Sequence, residues 1–408
     1  MLQNKLCALL KALTTVAATL ILANSAGAGS TYKVLHAFGL GKDGAGIYAG
    51  LTLDGRGNAY GTTSGGGTHG QGIAFRLTPG SHGRWSETVL HNFPSSADDG
   101  QGPVGGLILD GAGGLYGTTE GGGGPFKYGT VFELSPGTDG WKETVLRRFG
   151  QHDYGSDPQS ALAMDVTGDL YGTAPASVFE LTPGSSGWKE VILHEFTGQH
   201  GDGYGAYAGV ILDAAGDLYG ETATGGTGTG CGDGCGTVYA LEPTSDGWKE
   251  LILHDFDTDG DNMAYPEGPL MLDNAGNLYG TAGGGTYGDG AVYKLTLQSD
   301  GRWKSTILHS FTGGANGQSV GGGVVMDKAG NLYGTTTAGG SPNCECGIVY
   351  RLSPGPKGKW DFKILHTFVG SDGAQPVGEL IFDDKGNLYG NTITGGAGGY
   401  GVAFELTP

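Results

Sequence analysis

Short runs of alternating apolar and polar residues follow one another along almost the whole chain, and one arrangement of them recurs seven times. Its clearest copy is Leu270-Met271-Leu272-Asp273 followed, after a short gap, by Asn277-Leu278-Tyr279-Gly280-Thr281. The tyrosines at this place are Tyr60, Tyr116, Tyr171, Tyr219, Tyr279, Tyr333 and Tyr389, separated by 56, 55, 48, 60, 54 and 56 residues. A period near fifty residues marks a repeat architecture, in which one unit cannot bury its own apolar face and must stack on its neighbours. Within a repeat the alternation has period two, Val, Ile, Tyr and Phe are enriched, and Gly, Asp and Pro bound each run. Those features predict strands rather than helices. In the second repeat the expected strands are Gly106 to Asp110, Leu115 to Thr119, Thr130 to Leu134 and Glu143 to Phe149.

Four strands per unit at this spacing predict an all-β chain folded as a seven-bladed β-propeller. The first two strands of a blade are joined by a tight Asp-x-x-Gly turn such as Asp110-Gly111-Ala112-Gly113, where Asp can cap the turn and Gly supplies positive φ. The third and fourth are joined by a short Pro-Gly-x-x-Gly-Trp turn, as in Pro136 to Trp141. The loops between strands two and three and those between blades are long and variable, and in a propeller these two kinds share one face, so a site is expected on that long-loop face near the axis. Residues Tyr32 to Phe38 match a fourth strand and Val402 to Pro408 match a third. The N-terminal strand is therefore expected to complete the last blade and remove the open sheet edge.

Composition changes this picture only at the margins. Glycine is abundant, at 86 residues, but without a three-residue period, and 19 Tyr, 14 Phe and 6 Trp supply a core. Residues 1–28 carry Lys5 and Lys11, an apolar run from Leu13 to Ala23, and Ala26-Gly27-Ala28. This is the pattern of a secretory signal peptide, with the propeller expected over 29–408 in an extracellular or periplasmic setting. No run is long enough to predict a membrane-spanning helix. Without the leader the chain has 20 basic and 41 acidic residues, a field that repels phosphate backbones and excludes nucleic acid as a natural partner. A monomer is expected, with an extracellular glycan or protein as partner.

The phrases Gly113-Gly114-Leu115-Tyr116-Gly117-Thr118-Thr119 and Gly129-Thr130-Val131-Phe132-Glu133-Leu134-Ser135-Pro136 resemble the GloVer tandem-repeat family of secreted bacterial proteins, and all seven repeats carry some form of them. The Asp-x-x-Gly-Asn-Leu-Tyr hairpin is also similar to the inner hairpin of NHL-type propellers. The resemblance implies an extracellular repeat protein of unassigned activity and brings no catalytic residues with it. Family members often end in a sorting segment, whereas Pro408 follows strand residues, so no surface anchor is expected.

Candidate chemistry is weighed against blade packing at each place. Histidine recurs in Leu-His-x-Phe as His36, His91, His194, His254, His309 and His366, with Arg147 in the second repeat. These are read as repeated structural hydrogen bonds, and the tryptophans Trp85, Trp141, Trp188, Trp248, Trp303 and Trp360 as blade packing. Asp257, Asp259 and Asp261 alternate on a turn, a spacing of hard oxygen ligands that suits Ca2+, though the loop departs from an EF-hand at Asn262 and Glu267. Cys231 and Cys235, and Cys344 and Cys346, are expected to pair as local disulfides. The third repeat breaks the symmetry: its loop Ala174-Pro175-Ala176-Ser177 is stunted, which predicts a notch walled by His152, Asp153, Tyr154 and Asp157. Before the inner strand most repeats have Gly, but three have Ala161, Pro269 and Glu379. The leading functional expectation is a non-catalytic module binding glycan or protein, resting on an acidic, Gly- and Tyr-rich variable face and on no recognisable nucleophile-base set in the sequence. The alternatives are a polysaccharide lyase or hydrolase using His152, Tyr154, Asp157, Glu267 or Glu379, and a structural or adhesive surface protein.

Overall fold

The computed structural model describes residues 29–408, apart from 97–98, 126, 151–155, 259–261 and 267. The leader therefore lies outside the described residues, as do His152, Asp153, Tyr154, Asp259, Asp261 and Glu267. Seven antiparallel sheets stand around a central axis, one per repeat, and among the described residues the only helical pieces are three short 3-10 turns. The last blade runs from Ala374–Phe382 through Leu388–Thr394 and Val402–Thr407 to the N-terminal strand Thr31–Ala37. Thr31 pairs with Thr407 and Ala37 with Val402, so the ring closes as the sequence predicts.

The tight turn works through its aspartate. Asp273 Oδ1 accepts from the backbone N–H of Ala275 and Asn277, while Oδ2 accepts from Asn277 Nδ2 at 2.7 Å and Tyr279 Oη at 3.0 Å. The same four bonds recur at Asp54 and Asp327, with Gly57, Gly276 and Gly330 at φ near +80° closing the turns. The turn thus fixes the tyrosine of the repeat, and the tyrosine ring then receives a tryptophan of the next blade. Tyr60 meets Trp141, Tyr116 meets Trp188 and Tyr171 meets Trp248 edge-on, which settles the tryptophan series as blade packing.

Seven apolar clusters fill the seven seams between blades. In each, the phenylalanine of Leu-His-x-Phe crosses to an aromatic ring on the third strand of the following blade, as Phe38 to Phe75 at 4.9 Å and Phe311 to Tyr350 at 5.1 Å. The third-strand ring also explains the glycine after each repeat tyrosine: a Cβ on Gly117 would lie 2.7 Å from Phe132 Cζ. Closer to the axis, Thr62, Thr118, Thr173 and Thr281 each donate a hydroxyl to a backbone carbonyl of the next blade.

Two expected strand boundaries move. The inner strand of the second blade pairs only over Ile108–Leu109, because the chain before it leaves the sheet where Gly105 presses on the backbone of the next blade. A Cβ on Gly105 would lie 2.4 Å from the Ser160 carbonyl. The outer hairpin is longer than expected, Thr130–Gly137 with Gly140–Arg148, since its tight turn lets the ladder run to the tip.

Candidate functional site

Gly50, Gly106, Ala161, Gly209 and Pro269, each just before an inner strand, and Glu379, at the irregular part of Ala374–Phe382, ring the axis at the long-loop end, with Gly323 packed beside Pro269 and Glu379. Small residues there let the blades converge. A Cβ on Gly106 would sit 3.4 Å from that of Ala161 and 3.6 Å from that of Ala49. They surround a channel of about 920 Å³ whose wall is mostly Leu, Ile, Val and Gly. Tyr48 and Tyr207 line both this channel and an adjoining hollow of about 440 Å³, which Ser64, Val104, Glu120 and Gln159 complete.

Among the described residues, the charged side chains on the channel wall are Glu221 and Glu379. Glu221 takes the place of the seam threonine in the fourth blade and accepts from Tyr293 Oη of the fifth. Glu379 replaces a ring glycine, and its Oε1 lies 3.2 Å from where a Gly323 Cβ would be. Burial among apolar channel walls pushes the Glu379 carboxyl up to about 7, which places its titration near neutrality. Glu120, at the hollow, is raised by burial and then by the charge of Asp157.

The expected site residues fall in different places. Glu379 is in the channel. Asp157 is half-buried at φ +57°, its N–H bonded to the Tyr128 carbonyl at 2.8 Å, close to Glu120 but off the channel wall. The stunted loop is a two-residue turn, Pro175-Ala176, between Leu170–Ala174 and Ser177–Gly184. The Pro175 carbonyl accepts from Gly205 and Ala206 of the next loop, which draws Tyr207 toward the axis. Asp257 accepts from Thr229 Oγ1 at 3.1 Å. Cys231 pairs with Cys235 and Cys344 with Cys346, as expected, each within a long loop.

The tyrosine-rich variable face takes form as Tyr48, Tyr204, Tyr207, Tyr265, Tyr287 and Tyr400, all exposed and all on the long-loop face. One feature escaped the sequence reading, and it joins the histidines to loop aspartates and to the next blade. His36 Nε2 lies 2.8 Å from Asp43 Oδ1, His194 Nε2 3.3 Å from Asp202 Oδ1 and His366 Nε2 3.0 Å from Asp372 Oδ2. Three of the histidines also meet a glutamate from the outer strand of the following blade, forming His36–Asp43–Glu87, His91–Asp99–Glu143 and His194–Asp202–Glu250. Burial raises Glu87 and Glu143, as do the hydrogen bond that each, protonated, donates to its partner aspartate and the charge of that aspartate. The Asp-Gly recurrence six to eight residues after His36, His91, His194 and His366 was the available signal; the glutamate, some fifty residues on, carried none.

Seven four-stranded blades closed by an N-terminal strand and converging on one axial channel define a β-propeller built from tandem NHL-like repeats. The chain matches the Gloeobacter/Verrucomicrobia repeat over residues 22–177, 176–344 and 281–408, and it belongs to that family. No curated protein sequence matches it. Among solved structures it is similar to virginiamycin B lyase from Staphylococcus aureus, at 14% identity and a TM-score of 0.54, covering 93% of this chain and 99% of that one. It is also similar to PorZ, a surface component of the type-IX secretion system of Porphyromonas gingivalis, at 16% identity and a TM-score of 0.51. That match covers 91% of this chain and 47% of PorZ. Identities this low are a likeness of fold.

Proposed function

We propose that the protein is a secreted, non-catalytic binding propeller whose long-loop face takes a polysaccharide. The observation that carries this reading is the set of exposed tyrosines on the long-loop face, of which Tyr48 and Tyr207 line both channel and hollow. Tyrosine offers a flat apolar ring with a polar tip, suited to the alternating faces of sugar rings. The acidic balance favours a neutral or basic glycan over an acidic one. The leader pattern of residues 1–28 and the two disulfides support secretion. Asp157 and Glu120 would flank the ligand on one side and Glu379 would lie nearer the axis, with His152, Asp153, Tyr154 and Glu267 as further candidates from the sequence. Asp257, Asp259 and Asp261 would hold Ca2+ and order the loop before the fifth blade.

The test is a melting-temperature screen of residues 29–408 against neutral, basic and acidic polysaccharides, with calcium and with chelator. A ligand that binds only the folded state must raise the midpoint. A rise with one glycan class, lost in Tyr48→Ala and Tyr207→Ala, supports the reading; no shift with any glycan overturns it. The raised carboxyl of Glu379 favours a second reading, an enzyme of the lyase or hydrolase type. Product release from the bound glycan that Glu379→Gln abolishes would establish that alternative.

A further inference from the structure

Two carboxylates and an imidazole converge at three of the seven seams, far from the channel. We propose that each of these clusters, His36–Asp43–Glu87, His91–Asp99–Glu143 and His194–Asp202–Glu250, is a site for a divalent transition metal such as zinc. Each would hold its ion by one imidazole nitrogen and two carboxylate oxygens, with a fourth position open to solvent.

The spacing fits. Zinc ligands lie about 2.0–2.2 Å from the ion, so tetrahedral neighbours are about 3.3–3.6 Å apart. His194 Nε2 is 3.3 Å from Asp202 Oδ1 and 3.5 Å from Glu250 Oε1. His91 Nε2 is 3.8 Å from Asp99 Oδ2 and 3.5 Å from Glu143 Oε2. At the first seam His36 has closed on Asp43 at 2.8 Å and left Glu87 at 4.0 Å, a rotation of one side chain away from the same arrangement. The rings are held edge-on to Phe38, Phe93 and Phe196, so Nε2 is aimed at the carboxylates by packing. His91 Nε2 at the second seam and Glu250 Oε1 at the third, both facing the cluster, are buried with no hydrogen-bond partner. An ion would satisfy them; without one they carry a desolvation cost.

The remaining seams act as internal controls. Where Arg147 replaces the histidine, its Nη2 pairs with Glu190 Oε2 at 2.7 Å, so the chain itself supplies the positive charge that the glutamate faces. Where the glutamate is lost, the histidine takes a different partner: Phe362 stacks flat on His309 at 4.2 Å and Tyr32 on His366 at 3.8 Å. Ser305 stands at that place in the remaining seam. Among the described seams the glutamate therefore faces either a guanidinium or a ligand set. A nitrogen in that set favours zinc-like ions, whereas the oxygen-only loop at Asp257 suits calcium.

The experiment is a zinc titration of the full mature chain, stripped of metal and competed against a chromophoric chelator. Three equivalents per chain are expected, with a rise in melting temperature that calcium does not reproduce. His36→Gln, His91→Gln and His194→Gln should each remove one equivalent. His91→Arg copies the Arg147–Glu190 pairing, so it should remove one equivalent while keeping the metal-free melting temperature; Glu143→Gln tests the same site should that variant fail to fold. No uptake at micromolar free zinc, or uptake indifferent to these substitutions, would overturn the proposal. A seam whose variants change nothing is struck from it.

Discussion

The two faces of the ring are made from the same seven repeats and treat them in opposite ways. On the short-turn face, Asp54, Asp273 and Asp327 make the same four hydrogen bonds, and the chain spacing hardly varies. On the long-loop face the loops differ in length and carry both disulfides and all six exposed tyrosines. The difference lies in what each connection must satisfy. A tight turn buries part of an aspartate and has to close its own backbone bonds, so few sequences serve. A long loop needs only an anchor on its neighbour, such as the Tyr265 N–H on the Cys235 carbonyl at 2.8 Å, and the rest is free to vary. Repetition is kept where it builds the ring and relaxed where a ligand can be met.

That contrast can be broken in order of expected effect. The largest should follow Gly117→Val, whose side chain would enter Phe132 and Leu107 in the seam; a loss of about 3 kcal/mol is expected by denaturant unfolding. Gly232→Ala in the long loop of the fourth blade, with nothing within 4 Å, should stay within about 0.5 kcal/mol. Equal costs would erase the distinction between seam and loop.

Next comes Asp273→Ala, which removes four hydrogen bonds and should cost about 2 kcal/mol. Burial alone would raise this carboxyl, but the bonds from Asn277, Ala275 and Tyr279 outweigh it, and Asp54, Asp165 and Asp327 are lowered in the same way. Their folded values lie below the unfolded one, so their stabilisation is complete above pH about 4 and is lost as pH falls through the folded values. Melting temperature between pH 5 and 2 (about) should fall less steeply in the variant than in the wild type.

Glu379 should show the reverse sign. Its folded value, near 7, lies above the unfolded one, so stability falls as pH rises from about 4.5 to about 7. Glu379→Gln should remove that slope and stabilise the protein at pH 8 by about 1 kcal/mol, water in the channel screening part of the penalty. Smallest in stability is Tyr207→Ala, expected within about 0.5 kcal/mol, yet it should weaken glycan binding about tenfold by calorimetry.

The ring, its seven blades and its closing strand were legible in the chain because each rests on local alternation and on turn chemistry repeated seven times. The channel residue Glu379 was legible as a broken repeat position, where glycine is the rule. The histidine clusters were half legible. His91 and Asp99 stand close in sequence, but Glu143 reaches them only because consecutive outer strands lie side by side, and no local pattern encodes that meeting. The tyrosine-rich face was legible as composition, but which tyrosines meet the channel was not: Tyr48 and Tyr207 occupy unequal loops, so no period gathers them. The inner strands were overcalled because backbone crowding at the axis, a property of the assembled ring, takes their first residues out of the ladder.

The pairing of Thr31 with Thr407 fixes a direction as well as a closure. Both residues lie at the tip of the outer hairpin position, on the short-turn side of the disc. Any segment continuing from either end leaves from the rear, at one point on the rim. A body hung from a cell envelope or a carrier by such a segment would turn its tyrosine-bearing long-loop face outward, in the manner of a dish on a stalk.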